Sequence, residues 1–355
     1  MTKNQCLATS VIAILFLSSD AYAQIQGQGC NNQNNCTINS LVNGTHRVDS
    51  TNATLSLTSN GTIWGWYHNV PLTIPHTKTL NLLYNEGTIE QKGDSRSYFH
   101  SAVFSSRNFL QKAEIKTIIN KGLIGAPLNA QPAFMLANST ITSLDNQGTI
   151  RGGIQLVTNN THIKTLNNRG LITSAAHTQF IGGYAVNTHM QMDSFTNSGT
   201  IEGFYAAGGV KTFTNSGTIK RHKENHRNTA LRLDGQSTIV SLSAEAHIEN
   251  GIELRGTIQS LTNDSSTLKI TNYARGQIQN LQGSGTITSL DNQGTIKTLN
   301  NTMNGNLTNS GKIESGSITF QSGQLTNQQS GTIGGTVSGT ITSLDNRGTI
   351  KTLNN

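Results

Sequence analysis

The chain has 355 residues, of which 34% are hydrophobic, 12% charged and 5% aromatic, with 36 glycines and only four prolines. That balance excludes an ordinary globular core. The scarcity of charge also argues against a disordered polyelectrolyte, which combines low hydrophobicity with high charge. The net charge of +7 is scattered, with no basic stripe interleaved with aromatics, so no nucleic acid is expected as a partner. What remains is a polar chain that folds by repetition.

In chain order, residues 1–23 read as a signal peptide. Lys3 supplies the positive start, Leu7 to Leu17 a short apolar run, and Ala21-Tyr22-Ala23 a small-x-small cleavage site. The chain is therefore expected to be exported, which makes the compartment oxidising. Cys30 and Cys36 in GCNNQNNC are then expected to close a small disulfide loop rather than hold a metal. Residues 24–80 lack the later period and contain the aromatic cluster WGWYHNVP. They are expected to form an N-terminal cap.

From 81 to 355 one frame recurs: apolar-x-Asn-x-Gly-x-Ile. It runs through LYNEGTI at Leu83, IINKGLI at Ile118, LDNQGTI at Leu144, LNNRGLI at Leu166 and FTNSGTI at Phe195 and Phe213. It continues in LDNQGTI at Leu290, LTNSGKI at Leu307, a stretched LTNQQSGTI at Leu325 and LDNRGTI at Leu344. The last four anchors are 17, 18 and 19 residues apart. The stretch GTITSLDNQGTIKTLNN at Gly285 therefore returns from Gly339, with Gln293 replaced by Arg347, after three repeats. Steps of about 18–20 residues built from short strands and corners are the period of a parallel β-helix, a solenoid whose coils bury only a thin slice each. A leucine-rich repeat needs leucines two apart before its asparagine, and these are missing. At about 4.8 Å per coil the repeats would make a rod on the order of 60–70 Å long.

In this frame the leading apolar residue and the Ile face inward, while Asn and Gly form the corner. Both are expected to serve there by tolerating positive φ. Stacking would place Asn85, Asn120, Asn146, Asn168, Asn197, Asn215, Asn292, Asn309 and Asn346 in a hydrogen-bonded amide ladder.

No catalytic, metal or cofactor site is expected. Asp145, Asp291 and Asp345 hold the same place in their repeats, which marks them as surface residues rather than a convergent acid pair. His222 and His226 are four apart, but their setting is not helical. Binding is the better expectation. Arg221, His222, Lys223, His226 and Arg227 fall in a long step between repeats, where a loop would project. Trp64, Trp66 and Tyr67 are a second candidate surface, for stacking on sugar rings.

A signal peptide followed by NSGTI and NQGTI repeats resembles the passenger region of Gram-negative autotransporters, including adhesins and relatives of the vacuolating cytotoxin. The resemblance spans most of 81–355 and rests on short architectural motifs. It implies a right-handed parallel β-helix that passes the periplasm and reaches the cell surface or medium. It also implies a C-terminal outer-membrane β-barrel as translocator. No barrel-like run of alternating strands occurs, and the chain is expected to be truncated in mid-repeat. The expected function is non-enzymatic binding to a host-cell glycan, lipid or protein receptor, as an adhesin or toxin-like virulence factor. Two alternatives are a β-helical polysaccharide lyase or glycoside hydrolase, and a truncated inactive passenger.

Overall fold

The structure, a computed structural model, describes residues 25–26, 30, 35–49, 51–66, 70–75, 77–92, 101–105, 112–125, 132–156, 158, 160–174, 184–221 and 229–354. The expected signal segment, 1–23, lies outside them. The fold is a parallel β-helix: strands of successive coils stack in register on three faces, here called A, B and C in the order the chain visits them.

One coil shows how the residues dictate this. Ser139–Asn146 lies on face A, and its Ile141, Leu144 and Asn146 point inward while alternate residues point out. Thr142 and Ser143 both face outward, and Thr142 is skipped in the pairing to neighbouring coils, so the strand bends there. Gln147-Gly148 turns the corner, Thr149–Gly152 forms face B with Ile150 inward, and Ile154–Leu156 forms face C. β-branched and aliphatic residues suit strands buried on one side, and each is met by its counterpart from the next coil. The inward files are continuous. On face A, Ile118, Leu144, Leu166, Phe195 and Phe213 stack in order. Face B stacks Ile63, Ile89, Ile124, Ile150, Ile172, Ile201, Ile219 and Ile248. All of these side chains are buried, and the Phe195 and Phe213 rings stack at 4.7 Å.

The region expected as a cap is itself coiled. Asn35–Ile38, Leu41–Asn43 and His46–Val48 already occupy faces A, B and C and pair in parallel with Thr51–Leu57, Thr62–Trp66 and Leu72–Ile74. Only Ile25–Gln26, antiparallel to His46–Val48, departs from the pattern. The period was hidden because Ile38 and Leu57 stand where later coils have asparagine. Cys30 and Cys36 form a disulfide, with Cα atoms 5.2 Å apart, against the inside of this first coil.

The asparagines form two ladders rather than one. Asn85, Asn120, Asn146, Asn168, Asn197 and Asn215 stack at the corner between faces A and B, each Nδ2 donating to the next Oδ1 at 2.7 Å. The file then meets Leu242, aligned with Asn215 on one side and Asn263 on the other. A second ladder of Asn272, Asn292, Asn309, Asn327 and Asn346, at 2.8 to 2.9 Å, runs along the corner between faces C and A. Leu144 of the frame therefore lies on face A, whereas Leu290, Leu307, Leu325 and Leu344 stack on face C. Face B ends at His247–Ile248. Later coils run almost continuously from face A to face C, as in Gln277–Asn292, and bend near Gly283 and Gly305 at φ +142° and +152°. Such backbone is essentially confined to glycine.

The corner glycines of the frame do not serve by positive φ, contrary to the expectation from sequence. Positive φ is found at other glycines and at Asn52, Thr77, Asn138 and Asn250, none of them in a ladder. What these corners require is close approach: a Cβ on Gly170 would fall 2.0 Å from the Gly148 carbonyl oxygen of the preceding coil.

Tyr184, just before the face C strand Val186–Thr188, is the largest fully buried side chain among the described residues. Burial, aided by the charge of Glu253, pushes its hydroxyl up to about 12. Because this lies above the unfolded value of about 10, the contribution is fully present below about pH 10 and is lost as pH rises toward about pH 12. The shift corresponds to ~2–3 kcal/mol. Tyr184→Phe should remove that share of the alkaline loss, and an ultraviolet titration should show one late-ionising tyrosine fewer.

Candidate functional site

The corners differ in what they admit. Along the first ladder, two residues separate face A from face B in every coil from Asn85 to Thr218, as at Gln147-Gly148 and Ser198-Gly199. The interval from face B to face C is not fixed. It is one residue at Gly153 and Gly203, but ten between Lys92 and Val103, eight between Gly125 and Phe134, eleven between Ser174 and Val186, and ten between Lys220 and Leu231. Along the first ladder this spacing never varies, whereas two corners of the second ladder, at Asn272 and Asn327, carry two extra residues with the amide file intact. The opposite edge carries no ladder and absorbs added chain. The longest intervals thus begin and end at one edge of the rod.

Arg221 follows Thr218–Lys220 at this edge, and its backbone N–H donates to Glu249 Oε2 at 2.8 Å. His222, Lys223, His226 and Arg227 lie outside the described residues. Trp64 stands outward on face B, six stacking steps from the Lys220 strand, or about 29 Å at about 4.8 Å per step. The structure therefore does not bring Trp64 and Arg221 together. The Lys92 ammonium sits 3.2 Å from the centroid of the Trp64 ring, so one aromatic face is already covered. Tyr67 and the Trp66 side chain lie outside the described residues.

Ion pairs on the outer surface form both within a strand and between coils. Glu90 meets Lys92 at 3.8 Å and also Arg151, Glu202 meets Lys220 at 3.1 Å, and Lys211 meets Asp193 at 2.6 Å. Hydrogen bonds from Tyr84 and Lys121 hold the Glu86 carboxyl below its ordinary range, and Lys211 does the same for Asp193. Exposed pairs of this kind contribute little individually, about 0–1 kcal/mol.

The three equivalent aspartates do not converge. Asp145 lies on face A, where it accepts from Gln147 at 2.7 Å and Asn167 at 2.9 Å. Asp291 and Asp345 lie on face C three coils apart, bonded to Gln293 at 3.0 Å and Arg347 at 3.1 Å. Among the described residues, no group of three or more His, Cys, Asp or Glu side chains is placed to hold a metal ion.

Sequence reading missed Asn272 and Asn327 as ladder members. Both stand in stretched corners, ITNYARGQI and LTNQQSGTI, with three residues between Asn and Gly instead of one. The second of these was visible as a stretched copy, and the first shares its spacing. Compared with known proteins, the chain matches no family model, no curated protein and no solved structure.

Proposed function

We propose that the chain is an exported passenger that works at the cell surface by binding, as an adhesin or toxin-like factor, rather than by catalysis. The observation that carries this reading is that the longest intervals between strands of the parallel coils, of eight to eleven residues, all fall at the edge between faces B and C. A rigid shaft with variable segments on one edge suits recognition, since loops held on a scaffold are where contacts diversify. The signal-like start and the Cys30–Cys36 disulfide fit passage through an oxidising compartment. In this reading the partners are a host-cell glycan, lipid or protein receptor and an outer-membrane β-barrel translocator. Autotransporter passengers are the family whose repeats these resemble.

The insertion after Lys220 is the first place to test. Residues 222–228, HKENHRN, replaced by a single glycine as at Gly153, should lower adhesion of the purified rod to epithelial cells by about tenfold or more. That is the scale of losing one or two charge-assisted contacts. The melting profile should not change. Undiminished adhesion in all four variants that shorten a long insertion would contradict the reading, as would steady turnover of an acidic polysaccharide by the unmodified chain.

A further inference from the structure

The switch from the first ladder to the second leaves a recess at the corner between faces C and A. Asp234, Arg255, Tyr273 and Gln293 form a file there on four successive coils, their backbone N–H groups donating to Ala206, Leu233, Leu254 and Asn272 carbonyls at 2.8 to 3.0 Å. The corner at Asn272 is wider than its neighbours. Tyr273, Ala274 and Arg275 separate Asn272 from Gly276, whereas Gln293 alone separates Asn292 from Gly294. The result is a cavity of about 490 Å³ lined by Arg232, Asp234, Arg255, Tyr273, Arg275 and Gln293. That volume lies within the range of about 300–1,000 Å³ in which small-molecule sites fall.

The charges in this recess are not balanced internally. Arg232, 7% exposed, grips Asp234 with Nε at 2.7 Å on one carboxylate oxygen and Nη2 on the other. Tyr205 donates its hydroxyl to the same carboxylate at 3.1 Å. Asp234 is therefore committed. Glu253, aligned with Arg232 on the next coil, forms no ion pair with Arg255 or Arg275. Arg255 lies 4.3 Å from the Tyr273 ring, and neither it nor Arg275 has a carboxylate partner among the described residues. Arg255 and Arg275 thus line a recess whose other walls are the Arg232–Asp234 pair, Ala274, the Tyr273 ring and the Gln293 carboxamide.

We propose that this recess binds an acidic saccharide, with the sugar carboxylate held by Arg255 and Arg275 and the ring lying beside Tyr273. Guanidinium groups take carboxylates through two parallel N–H donors. Gln293 offers both a donor and acceptors to sugar hydroxyls, and the cavity is far larger than a lone phosphate needs. The site is separate from the edge insertions and stands whether or not they bind cells.

Titration calorimetry of the purified chain should use tetragalacturonate, its carboxyl-reduced neutral counterpart, inorganic phosphate, and vesicles of phosphatidylglycerol. Binding of tetragalacturonate is expected, weakened about 10–100-fold by Arg255→Ala with Arg275→Ala, and to a similar extent by carboxyl reduction. Both arginines are exposed, so the double variant should keep the parent melting profile, and Arg255→Lys should retain part of the affinity. The proposal is overturned by equal binding of the neutral sugar, by affinity unchanged in the double variant, or by no binding of the acidic one. Binding of phosphate or vesicles alone overturns it as well.

Discussion

Gly170→Ala should unfold the middle of the rod, at a cost of more than about 3 kcal/mol, above the usual range for overpacking. The added Cβ would lie 2.0 Å from the Gly148 carbonyl oxygen and 2.8 Å from the Gln147 carbonyl carbon. Those atoms cannot retreat. The Gly148 oxygen accepts the Leu171 N–H at 2.9 Å, and the coil behind it is held the same way by Gly122. The same approach repeats at Gly122, Gly148, Gly199 and Gly217, each within 2.2 Å of the preceding glycine oxygen. Opening one corner therefore separates two coils along their whole contact. Gly125→Ala is the matched control. Its nearest neighbour is the Arg151 side chain at 3.3 Å, and it should cost under about 1 kcal/mol. Hydrogen exchange should show the amides of 146–172 losing protection in the first variant and keeping it in the second.

Asn168→Ala should cost about 3–5 kcal/mol, combining a lost side chain with two partners each deprived of a bond. Asn146 Nδ2 would lose its shortest acceptor, keeping the Gly148 and Leu171 carbonyls at 3.3 Å, and Asn197 Oδ1 would lose its donor, both lost bonds being 2.7 Å long in a file with 0% exposure. No water reaches these groups to replace the bonds. The Nδ2 of Asn168 also spans the corner to the Gly170 and Thr200 carbonyls at 3.2 and 3.3 Å. Asn346, by contrast, is exposed on the last described coil. Asn346→Ala should cost under about 1 kcal/mol, and denaturant melts of the two variants should separate clearly.

Much of this architecture was legible in the sequence. The spacing of Leu144, Asn146, Gly148 and Ile150 specifies an inward residue, a sealed corner and the next inward residue. Stacking follows because no single coil can bury its own face. What the frame could not disclose is which corner it occupies. Leu290-Asp291-Asn292-Gln293-Gly294 meets the same local demands at the corner between C and A that Leu144-Asp145-Asn146-Gln147-Gly148 meets between A and B. The chemistry of one corner is indifferent to the rest of the coil. The coiling of residues 35–74 escaped notice for a related reason. Leu57 holds a ladder position without an amide, so a search for asparagine passes over it.

The Arg232, Arg255 and Arg275 recess was invisible because its members lie about one coil apart in sequence and converge only once the coils stack. The edge insertions were legible as long steps between Leu166 and Phe195. That they share one edge required the faces to be assigned.

The claim beneath all of this is that coils stack in parallel and that the asparagine frame moves to a different corner between Asn215 and Asn272. Paired cysteines test it directly. Glu253 and Thr271 are aligned outward neighbours on face C, whereas Thr262 stands outward on face A. Parallel neighbours are spaced about 4.8 Å apart, within the Cα range a disulfide spans. Glu253→Cys with Thr271→Cys should cross-link on mild oxidation, read by peptide mapping, while Thr262→Cys with Thr271→Cys should stay reduced. Cross-linking of the second pair and not the first would place Asn263 and Asn272 in one file and contradict the account.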